Sequence, residues 1–415
     1  MKHYSLIDKV YRMDNLRAAY RAVRANNGAP GIDGETVDAF GENLEARLAE
    51  IYQELRSGSY EPSPVRRVEI PKPDGSKRPL GIPTVGDRVV QQALLNVVQP
   101  IFDPEFHPSS YGYRPGRSCH QAVAKAERFI NRYGLKHVVD MDLSKCFDRL
   151  DHDLIIESVN RKVSDGSVLK LIRKFLEAGV MKDGAWEETT IGSPQGGVIS
   201  PLLANIYLDY FDQKMKSKDI RIVRYADDIL IFARTRRQAE KFLEIACEIL
   251  EGELKLVVNR DKTHITSVYK GVPYLGFVIY PKVVSIHPKK LAKFKDAVRK
   301  LTPRNHGMSV EQMVKRLNRF LIANCKTIVA SLMGWIRRRL RMKQMREWKS
   351  WRGLHKALRR RGYSGEFLKI SMRRWRNSAS PLVNMALPQA WFSEIGLIDL
   401  TKYEVGVLHL FYEAK

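Results

Sequence analysis

Apolar positions recur every three to four residues along most of the chain and every two residues in a few short segments. The first spacing predicts helices within 5–57, on either side of a glycine-rich loop (26–34), and over 86–102, 118–133, 151–178, 236–251 and a stretch beginning at Ser200. The second predicts strands in 65–84, at the start of 137–150, in 254–259 and in 272–280. Beyond Lys290 the spacing is almost entirely helical. The pattern therefore predicts a mixed α+β part followed by an all-helical part.

The segment RIVRYADDILIFAR (221–234) predicts a tight hairpin with two adjacent carboxylates at its tip. Ile222 and Val223 precede the aspartates and four apolar residues (229–232) follow them, as expected for two buried strands. Asp227 and Asp228 repel each other unless a cation or hydrogen bonds compensate their charges. Adjacent acidic residues are also common in ordinary turns, so this segment alone does not distinguish a metal site from a turn.

A third carboxylate comes from the strand segment VVDMDLSKCFD (138–148). Strand alternation puts Asp140 and Asp142 on one face, and either can approach the hairpin tip if the two strands are neighbours in one antiparallel sheet. Three carboxylates from two strands suit two Mg²⁺ ions, which in phosphoryl transfer activate the attacking oxygen and stabilise the leaving one. The combination indicates the metal site of a polymerase.

Positive charge is concentrated in the last third of the chain. The formal net charge is +25, and residues 281–415 hold 30 basic and 8 acidic residues, a net of +22. Basic residues of the segment 335–362 interleave with Trp335, Trp348 and Trp351, so that rings can anchor a helix while arginines face phosphates. A surface of this kind fits a polyanion, with nucleic acid favoured over an anionic membrane. A solvated basic face is the alternative.

The sequence shows neither a targeting signal nor a cysteine motif. The N-terminal segment lacks the apolar core of a signal peptide, and no run approaches the roughly 18 apolar residues of a membrane span. We therefore expect a cytoplasmic protein with no membrane partner. The four cysteines lie far apart and form no CxxC pair, so neither a zinc module nor a disulfide framework is expected.

Six sequence blocks follow one another along the chain. They are RPLGIPTVGDRVVQQAL (78–94), SYGYRPGRSCHQAV (110–123), DMDLSKCFD (140–148), SPQGGVISPLLANIYLD (193–209), RYADDILIF (224–232) and YLGF (274–277). Their order is typical of bacterial group II intron reverse transcriptases, and the chain resembles that family. The resemblance implies a bacterial RNA-directed DNA polymerase, a nucleotidyltransferase that extends a DNA or RNA primer on an RNA template with dNTPs.

The same resemblance implies an α+β right-hand polymerase fold. An N-terminal extension and the start of the fingers would occupy 1–60, and fingers and palm around an antiparallel sheet would occupy 61–284. A basic, all-helical thumb of the maturase type would follow over 285–415. The loop 26–34 corresponds to an extension that closes over the template in these enzymes, and as a surface turn it would need no special role.

The resemblance also implies the metal ligands. Asp142 matches the family's first ligand, because an aromatic residue lies five positions after it, while Asp227 matches the second ligand and Asp228 a supporting one. They would hold two Mg²⁺ ions, which Mn²⁺ can replace. Asp140 and Asp148 are interpreted as structural.

Nucleotide contacts follow from the same blocks. Phe147 resembles the gate that lies beneath the incoming sugar and excludes a 2′-hydroxyl; an ordinary core aromatic is the alternative. Lys72 and Arg78 resemble the pair that grips the triphosphate, a role that a point charge and a planar fork suit, and a solvated hairpin face is their alternative. Gln195 resembles a residue near the ribose, with Gly196 allowing close backbone approach.

Further contacts are implied around the primer and in the thumb. Lys262 matches a lysine that protonates the departing pyrophosphate as a general acid, and a simple phosphate contact is the alternative. The YLGF segment resembles the primer grip, although a buried strand pair would have the same pattern. The nucleic-acid contacts expected in these two regions are Tyr274, Leu275, Gly276, Arg337, Arg338 and Arg339.

The thumb departs from the family pattern. Between Asn318 and Trp335 the family's Gly-Trp, Tyr-Phe helical motif is missing, and the spacing is shorter by about two helical turns. No basic DNA-binding extension or nuclease segment rich in histidine and cysteine follows, so no endonuclease domain is expected. We therefore expect efficient polymerisation with poor intron splicing. The alternatives are a domesticated reverse transcriptase in DNA repair or phage defence, and a non-catalytic RNA-binding splicing factor that would hold a structured intron RNA.

Overall fold

The structure is a computed structural model that describes residues 2–71, 75, 77–182, 185–189, 191–193, 196–303, 307–324, 330–366 and 369–399. The chain divides into two compact units. Unit 1 comprises Met1–Val272 with Ile279–Val283, and unit 2 comprises Pro273–Val278 with Val284–Lys415. The finer division into extension, fingers, palm and thumb stays a prediction.

Helices and strands alternate irregularly along unit 1 and helices dominate unit 2. The helices are α1 (Ile7–Tyr11), α2 (Met13–Asn26), α3 (Val37–Glu42), α4 (Leu44–Ser57), α5 (Val85–Phe102), α6 (Cys119–Asn131), α7 (His152–Asn160), α8 (Gly166–Glu177), α9 (Ser200–Ser217), α10 (Arg236–Cys247), α11 (Pro288–Leu301), α12 (Val310–Asn324), α13 (Ala330–Glu347), α14 (Trp351–Arg360), α15 (Pro381–Ala386) and α16 (Gln389–Glu394). The strands are β1 (Val65–Pro71), β2 (Lys77–Ile82), β3 (His137–Met141), β4 (Val180–Lys182), β5 (Ala185–Glu187), β6 (Arg221–Tyr225), β7 (Asp228–Ala233), β8 (His264–Ser267), β9 (Val272–Tyr274), β10 (Phe277–Tyr280) and β11 (Val283–Ile286).

The central sheet of unit 1 has the strand order β6-β7-β3-β8 and is antiparallel throughout. Every residue of β7 after the first is buried, because helices cover the sheet and its apolar side chains join the main core of unit 1. The predicted hairpin at 221–234 is confirmed, and so is the pairing of its second strand with the 137–141 strand.

A second sheet has the order β2-β1-β4-β5, in which β1 pairs antiparallel with β2 and parallel with β4. The two-strand prediction for 65–84 is confirmed, while the turn residues 72–74 lie outside the described residues. Side-chain caps begin two of the helices of unit 1. Thr84 accepts the Asp87 amide at the start of α5, and Ser118 forms a capping box with Gln121 at α6.

The strand predicted at 254–259 is wrong. Helix α10 continues into a π-helical turn over Glu248–Glu253, and the amides of Leu254 and Leu256 then bond back to carbonyls of that turn. Every second residue of this segment is buried, namely Leu254, Leu256 and Val258. The segment forms no ladder of backbone hydrogen bonds with a neighbouring strand, apart from an isolated bridge between Leu143 and Val258. The alternation of apolar residues therefore reflects alternating burial and not a β-strand. Strands β8 and β11 were not predicted.

Unit 2 has its own apolar core, to which helices α11 to α16 contribute. Leu354, His355 and Leu358 are buried on one face of α14, and its basic side chains occupy the other. A sheet of order β11-β10-β9 precedes these helices, so the predicted hairpin at 272–280 is confirmed. Among the described residues, no helix combines the length and apolar character that crossing a bilayer requires.

Candidate active site

The turn between β6 and β7 carries the two adjacent aspartates. Tyr225 pairs with Asp228, which leaves Ala226 and Asp227 as a two-residue loop. Ala226 has φ +58°, the left-handed value that a type II′ hairpin turn requires at its first loop position. Strand β3 runs beside β7 with Met141 opposite Ile229, so the next residue in the register, Asp142, faces Asp228.

Asp142 is held by the segment that follows the π-helical turn. The Asn259 side-chain amide donates to Asp142 Oδ2 at 3.0 Å, and the Asp142 backbone amide donates to Thr263 Oγ1 at 3.3 Å. Lys262 Nζ lies 3.2 Å from the same Oδ2. Lys262, the predicted general acid, thus contacts Asp142, the first predicted metal ligand. The sequence did not indicate that Asn259 would bond to Asp142.

Like charges accumulate around the turn. Desolvation raises the pKa of Asp228 to about 6, and the charges of Asp227, Asp140 and Asp142 add to the effect. Asp228 is exposed at the first position of β7, but surrounding protein atoms displace part of its hydration. Desolvation and Asp142 likewise raise the pKa of Asp140 to about 6. Carboxylates that resist ionising together are the donor set that a divalent cation neutralises.

The described residues contain no group of three or more His, Cys, Asp or Glu side chains arranged to hold a metal ion. Asp142 instead directs one oxygen at Asn259 and Lys262. The chemistry of the three predicted ligands fits hard cations, and the Lys262 and Asn259 contacts both involve Oδ2 of Asp142. The metal roles of Asp142, Asp227 and Asp228 stay predictions.

A fully buried ion pair holds the β6–β7 turn, and sequence reasoning missed it. Arg224 and Asp212 are both 0% exposed, with Arg224 Nη2 2.6 Å from Asp212 Oδ2. Arg224 Nη1 donates to the Ala226 carbonyl at 3.0 Å and to Asn205 Oδ1 at 2.9 Å. A basic residue directly before YADD, flanked by apolar strand positions, was the available signal, because an arginine in a buried strand requires a buried acceptor.

The loop 107–114 lies against the same turn. Backbone hydrogen bonds join Tyr111 and Ser109 to Arg224, and the Asn205 amide donates to the Gly112 carbonyl at 2.8 Å. A Cβ on Gly112 would lie 2.3 Å from the Ala226 nitrogen. Only glycine therefore permits this approach, and the SYGYRPG block supports the hairpin through its backbone.

Phe147 lies on a short 3₁₀ turn directly after β3 and is 8% exposed. Its carbonyl accepts the Ser193 amide at 2.7 Å, which joins the turn to the SPQGG block. The Tyr113 ring meets the Phe147 ring edge-on, with centroids 6.4 Å apart and planes at 80°. The gate role of Phe147 stays a prediction.

The predicted triphosphate and ribose contacts lie mostly beyond the described parts of the chain. Lys72 and Gln195 lie outside the described residues, and the Arg78 side chain does as well, although its backbone pairs with Ile70 in β2. A Cβ on Gly196 would lie 2.3 Å from the Gly81 carbonyl oxygen, so the backbone at Gly196 packs closely against β2, and its approach to a nucleotide stays a prediction. A cavity of about 530 Å³ lies beside it, lined by residues that include Arg67, Gly81, Lys145, Asp148, Arg149 and Ser193.

The predicted primer-grip residues form the turn between β9 and β10. Leu275 and Gly276 both have positive φ, 49° and 83°, as a type I′ turn requires, and Tyr274 is buried. The Gly276 carbonyl accepts the His287 amide at 3.0 Å. A role of Tyr274, Leu275 and Gly276 in nucleic-acid binding stays a prediction.

The three predicted thumb arginines contact other parts of unit 2 instead of presenting one open face. Arg337 pairs with Asp399 at 3.0 Å, with both side chains about 15% exposed. Arg338 donates to Ser378 and the Trp375 carbonyl, and Arg339 donates to Thr302 Oγ1 at 2.7 Å. Their binding to nucleic acid stays a prediction. Helix α14 carries exposed cations on its solvent face, at Arg352, Lys356, Arg359 and Arg360.

The N-terminal loop is bound to the second sheet and to α5. Arg66 Nη2 donates to the Pro30 carbonyl at 2.7 Å, and Arg88 Nη2 donates to the Ala29 carbonyl at 2.9 Å. A Cβ on Gly31 would lie 2.6 Å from the Thr84 Cα. Closure of this loop over a template stays a prediction.

Comparison with known proteins identifies both parts of the chain. Residues 70–279 match the model of the reverse transcriptase (RNA-dependent DNA polymerase) family, and residues 291–362 match the maturase-specific domain of group II introns. Protein YkfC of Escherichia coli is 37% identical over 325 residues, which cover 67% of this chain and 85% of YkfC. The group II intron-encoded protein LtrA of Lactococcus lactis is 31% identical over 335 residues, covering 65% of this chain and 55% of LtrA.

The fold and the sequence matches define an RNA-directed DNA polymerase, as predicted. Within that class, the chain belongs to the reverse transcriptase family and is of the group II intron-like kind. The right-hand fold class is confirmed with it. Members of the family need a divalent metal ion, and both matched domains imply RNA binding.

Proposed function

We propose that this chain extends a primer on an RNA template at the site formed by the β6–β7 turn and the end of β3. The observation that supports the proposal is the register of the central sheet, in which antiparallel pairing of β3 with β7 sets Asp142 opposite Asp228, beside the turn that carries Asp227. The reaction joins the primer 3′-hydroxyl oxygen to the α-phosphorus of a dNTP and releases pyrophosphate.

Asp142, Asp227 and Asp228 would hold two Mg²⁺ ions, which Mn²⁺ can replace. When bound, such ions activate the attacking hydroxyl and neutralise charge on the leaving group. Lys262, whose ammonium contacts Asp142, would then be released toward the pyrophosphate and donate a proton to it. Phe147 would lie beneath the sugar and exclude a 2′-hydroxyl, and Lys72, Arg78, Gln195 and Gly196 would contact the nucleotide.

The test is Asp227→Asn, which removes one ligand charge but preserves side-chain size. We expect extension of a DNA primer on an RNA template to fall more than about 100-fold. Binding of the primer–template should change little, because phosphate contacts elsewhere position it. Asp219→Asn, at a side chain 88% exposed, is the control and should retain activity. A D227N variant with the wild-type rate would refute the metal assignment.

A second function, assistance of group II intron splicing, is favoured by the match of residues 291–362 to the maturase-specific domain. Its partner would be a structured intron RNA, which a protein recognises by shape through many distributed contacts. We expect weak splicing because of the shorter sequence between Asn318 and Trp335, of which 325–329 lie outside the described residues. The measurement follows exon ligation of a candidate intron at low magnesium. Efficient protein-dependent ligation would contradict this expectation, and its absence would favour a domesticated role in repair or defence.

A further inference from the structure

Tyr113 combines features that packing alone does not account for. Its φ is +56°, a left-handed value that bulky side chains rarely adopt. Its ring is half exposed, at 50%, although both of its neighbours are tightly held. Strained backbone at a non-glycine residue persists where the surroundings enforce it, and such residues cluster at functional sites.

The neighbours of Tyr113 show how the strain is enforced. Gly112 is held against the Ala226 nitrogen of the catalytic turn and bonded to Asn205. Arg114 is 8% exposed and donates to Asp103 and to the carbonyls of His107 and Ser110. These contacts fix the backbone on both sides, so the direction of the Tyr113 ring is determined by the loop and not by burial of the ring.

The ring is directed at Phe147. The two rings meet edge to face, an arrangement that aromatic pairs prefer and that fixes one ring against the other. The backbone of Phe147 is held by the hydrogen bond that the Ser193 amide donates to its carbonyl. Tyr113 is therefore the aromatic contact that restricts the Phe147 ring from the loop side.

We propose that Tyr113 is a positioning residue that holds the Phe147 ring in place and thereby sets discrimination between dNTPs and rNTPs. The inference rests on the proposed gate role of Phe147. A gate excludes a 2′-hydroxyl only if its ring cannot recede, because a small displacement would make room for one oxygen atom. Contact with a second ring supplies that restriction.

The test replaces Tyr113 by Asn and by Phe and measures kcat and KM for a dNTP and its rNTP in primer extension on RNA. Asparagine tolerates positive φ, so Tyr113→Asn removes the ring without adding strain. We expect Y113N to lose discrimination about two- to tenfold, the range expected for one aromatic pair. The loss should come from faster rNTP use with little change in kcat for the dNTP. Y113F keeps the ring and should keep the discrimination.

Tyr133 provides a matched control. It is 42% exposed and its ring meets buried Phe129 edge-on at 5.7 Å, but it lies outside the proposed site. Y133N should leave discrimination unchanged. The same loss in Y133N and Y113N would show that the effect is a general consequence of removing a surface tyrosine, which would overturn the inference.

Phe147→Val separates this inference from the proposed function. If F147V relaxes discrimination and Y113N does not, the positioning role of Tyr113 is refuted while the gate stands. If F147V itself has no effect, the gate assignment fails and the inference fails with it. If both act, the double variant Y113N/F147V should match F147V alone, because Tyr113 acts through Phe147. A double variant whose loss of discrimination equals the product of the two single losses would overturn the inference.

Discussion

Asp212→Asn is the most informative perturbation of the buried ion pair that holds the β6–β7 turn. The change keeps the size of the side chain but leaves the Arg224 guanidinium charged and without a counter-ion at 0% exposure. Removing one partner of a buried pair costs about 3–5 kcal/mol of unfolding free energy. For a domain of the size of unit 1 this corresponds to a decrease in Tm of roughly 6–20 °C.

The control is the exposed pair between Arg236 and Glu240, whose side chains are 73% and 51% exposed. Glu240→Gln should change the unfolding free energy by less than about 1 kcal/mol, because water already screens the pair. Thermal unfolding of wild type, D212N and E240Q measures the difference. If D212N and E240Q unfold at the same Tm, the reasoning that the buried Arg224 charge requires Asp212 as its counter-ion is refuted.

A double variant separates stability from activity. Asp212→Leu with Arg224→Met replaces the pair by apolar groups, a change that is often neutral or stabilising, so Tm should recover. The Ala226 carbonyl and Asn205 nevertheless lose their donor. A charge-assisted hydrogen bond contributes about 1.5–3 kcal/mol, so primer extension should stay roughly 10- to 100-fold below wild type. Full activity in the double variant would show that Arg224 serves stability alone.

Three further predictions concern other parts of the molecule. Gly112→Ala should displace the catalytic turn and lower primer extension strongly, because the new Cβ would lie 2.3 Å from the Ala226 nitrogen, whereas Gly166→Ala enters open space and should retain activity. Burial lowers the pKa of His107 to about 4, so protons bind the unfolded chain preferentially between pH 6.5 and 4. As the pH falls across that range, the unfolding free energy of wild type, measured in denaturant titrations, should decrease by up to about 3 kcal/mol more than that of His107→Gln. An equal pH dependence of the two unfolding free energies would refute this. Charge reversal at Arg352 and Lys356, both exposed, should flatten the dependence of log K for RNA binding on log salt concentration. The slope should change by about 0.7–0.9 for each phosphate that the variant no longer neutralises. Arg339→Glu should instead lower the thermal stability of unit 2, because Arg339 bonds to Thr302.

Much of the site was predictable from local pattern. The period-two alternation around Asp140 and Asp142 predicted β3, and the apolar runs around Asp227 and Asp228 predicted β6 and β7. Side-chain alternation in a strand is a local property of the backbone, so the relative placement of these carboxylates followed once the strands were paired. The same local rule failed at 254–259, because buried alternate residues do not require a ladder of hydrogen bonds.

The sequence by itself determined the family, most of the helices and strands, and the charge distribution, since these depend on residue identity, spacing and order. Only the tertiary structure decided that Arg224 would find Asp212 and Asn205, that Gly112 would meet Ala226, and that the Tyr113 ring would meet Phe147. It also decided that Arg337, Arg338 and Arg339 would bond within unit 2, whereas Arg352 and Lys356 of α14 are exposed. The physical reason is common to all these cases. A side chain's type specifies which partners it can accept, but distant segments supply those partners, and only packing brings them within contact distance.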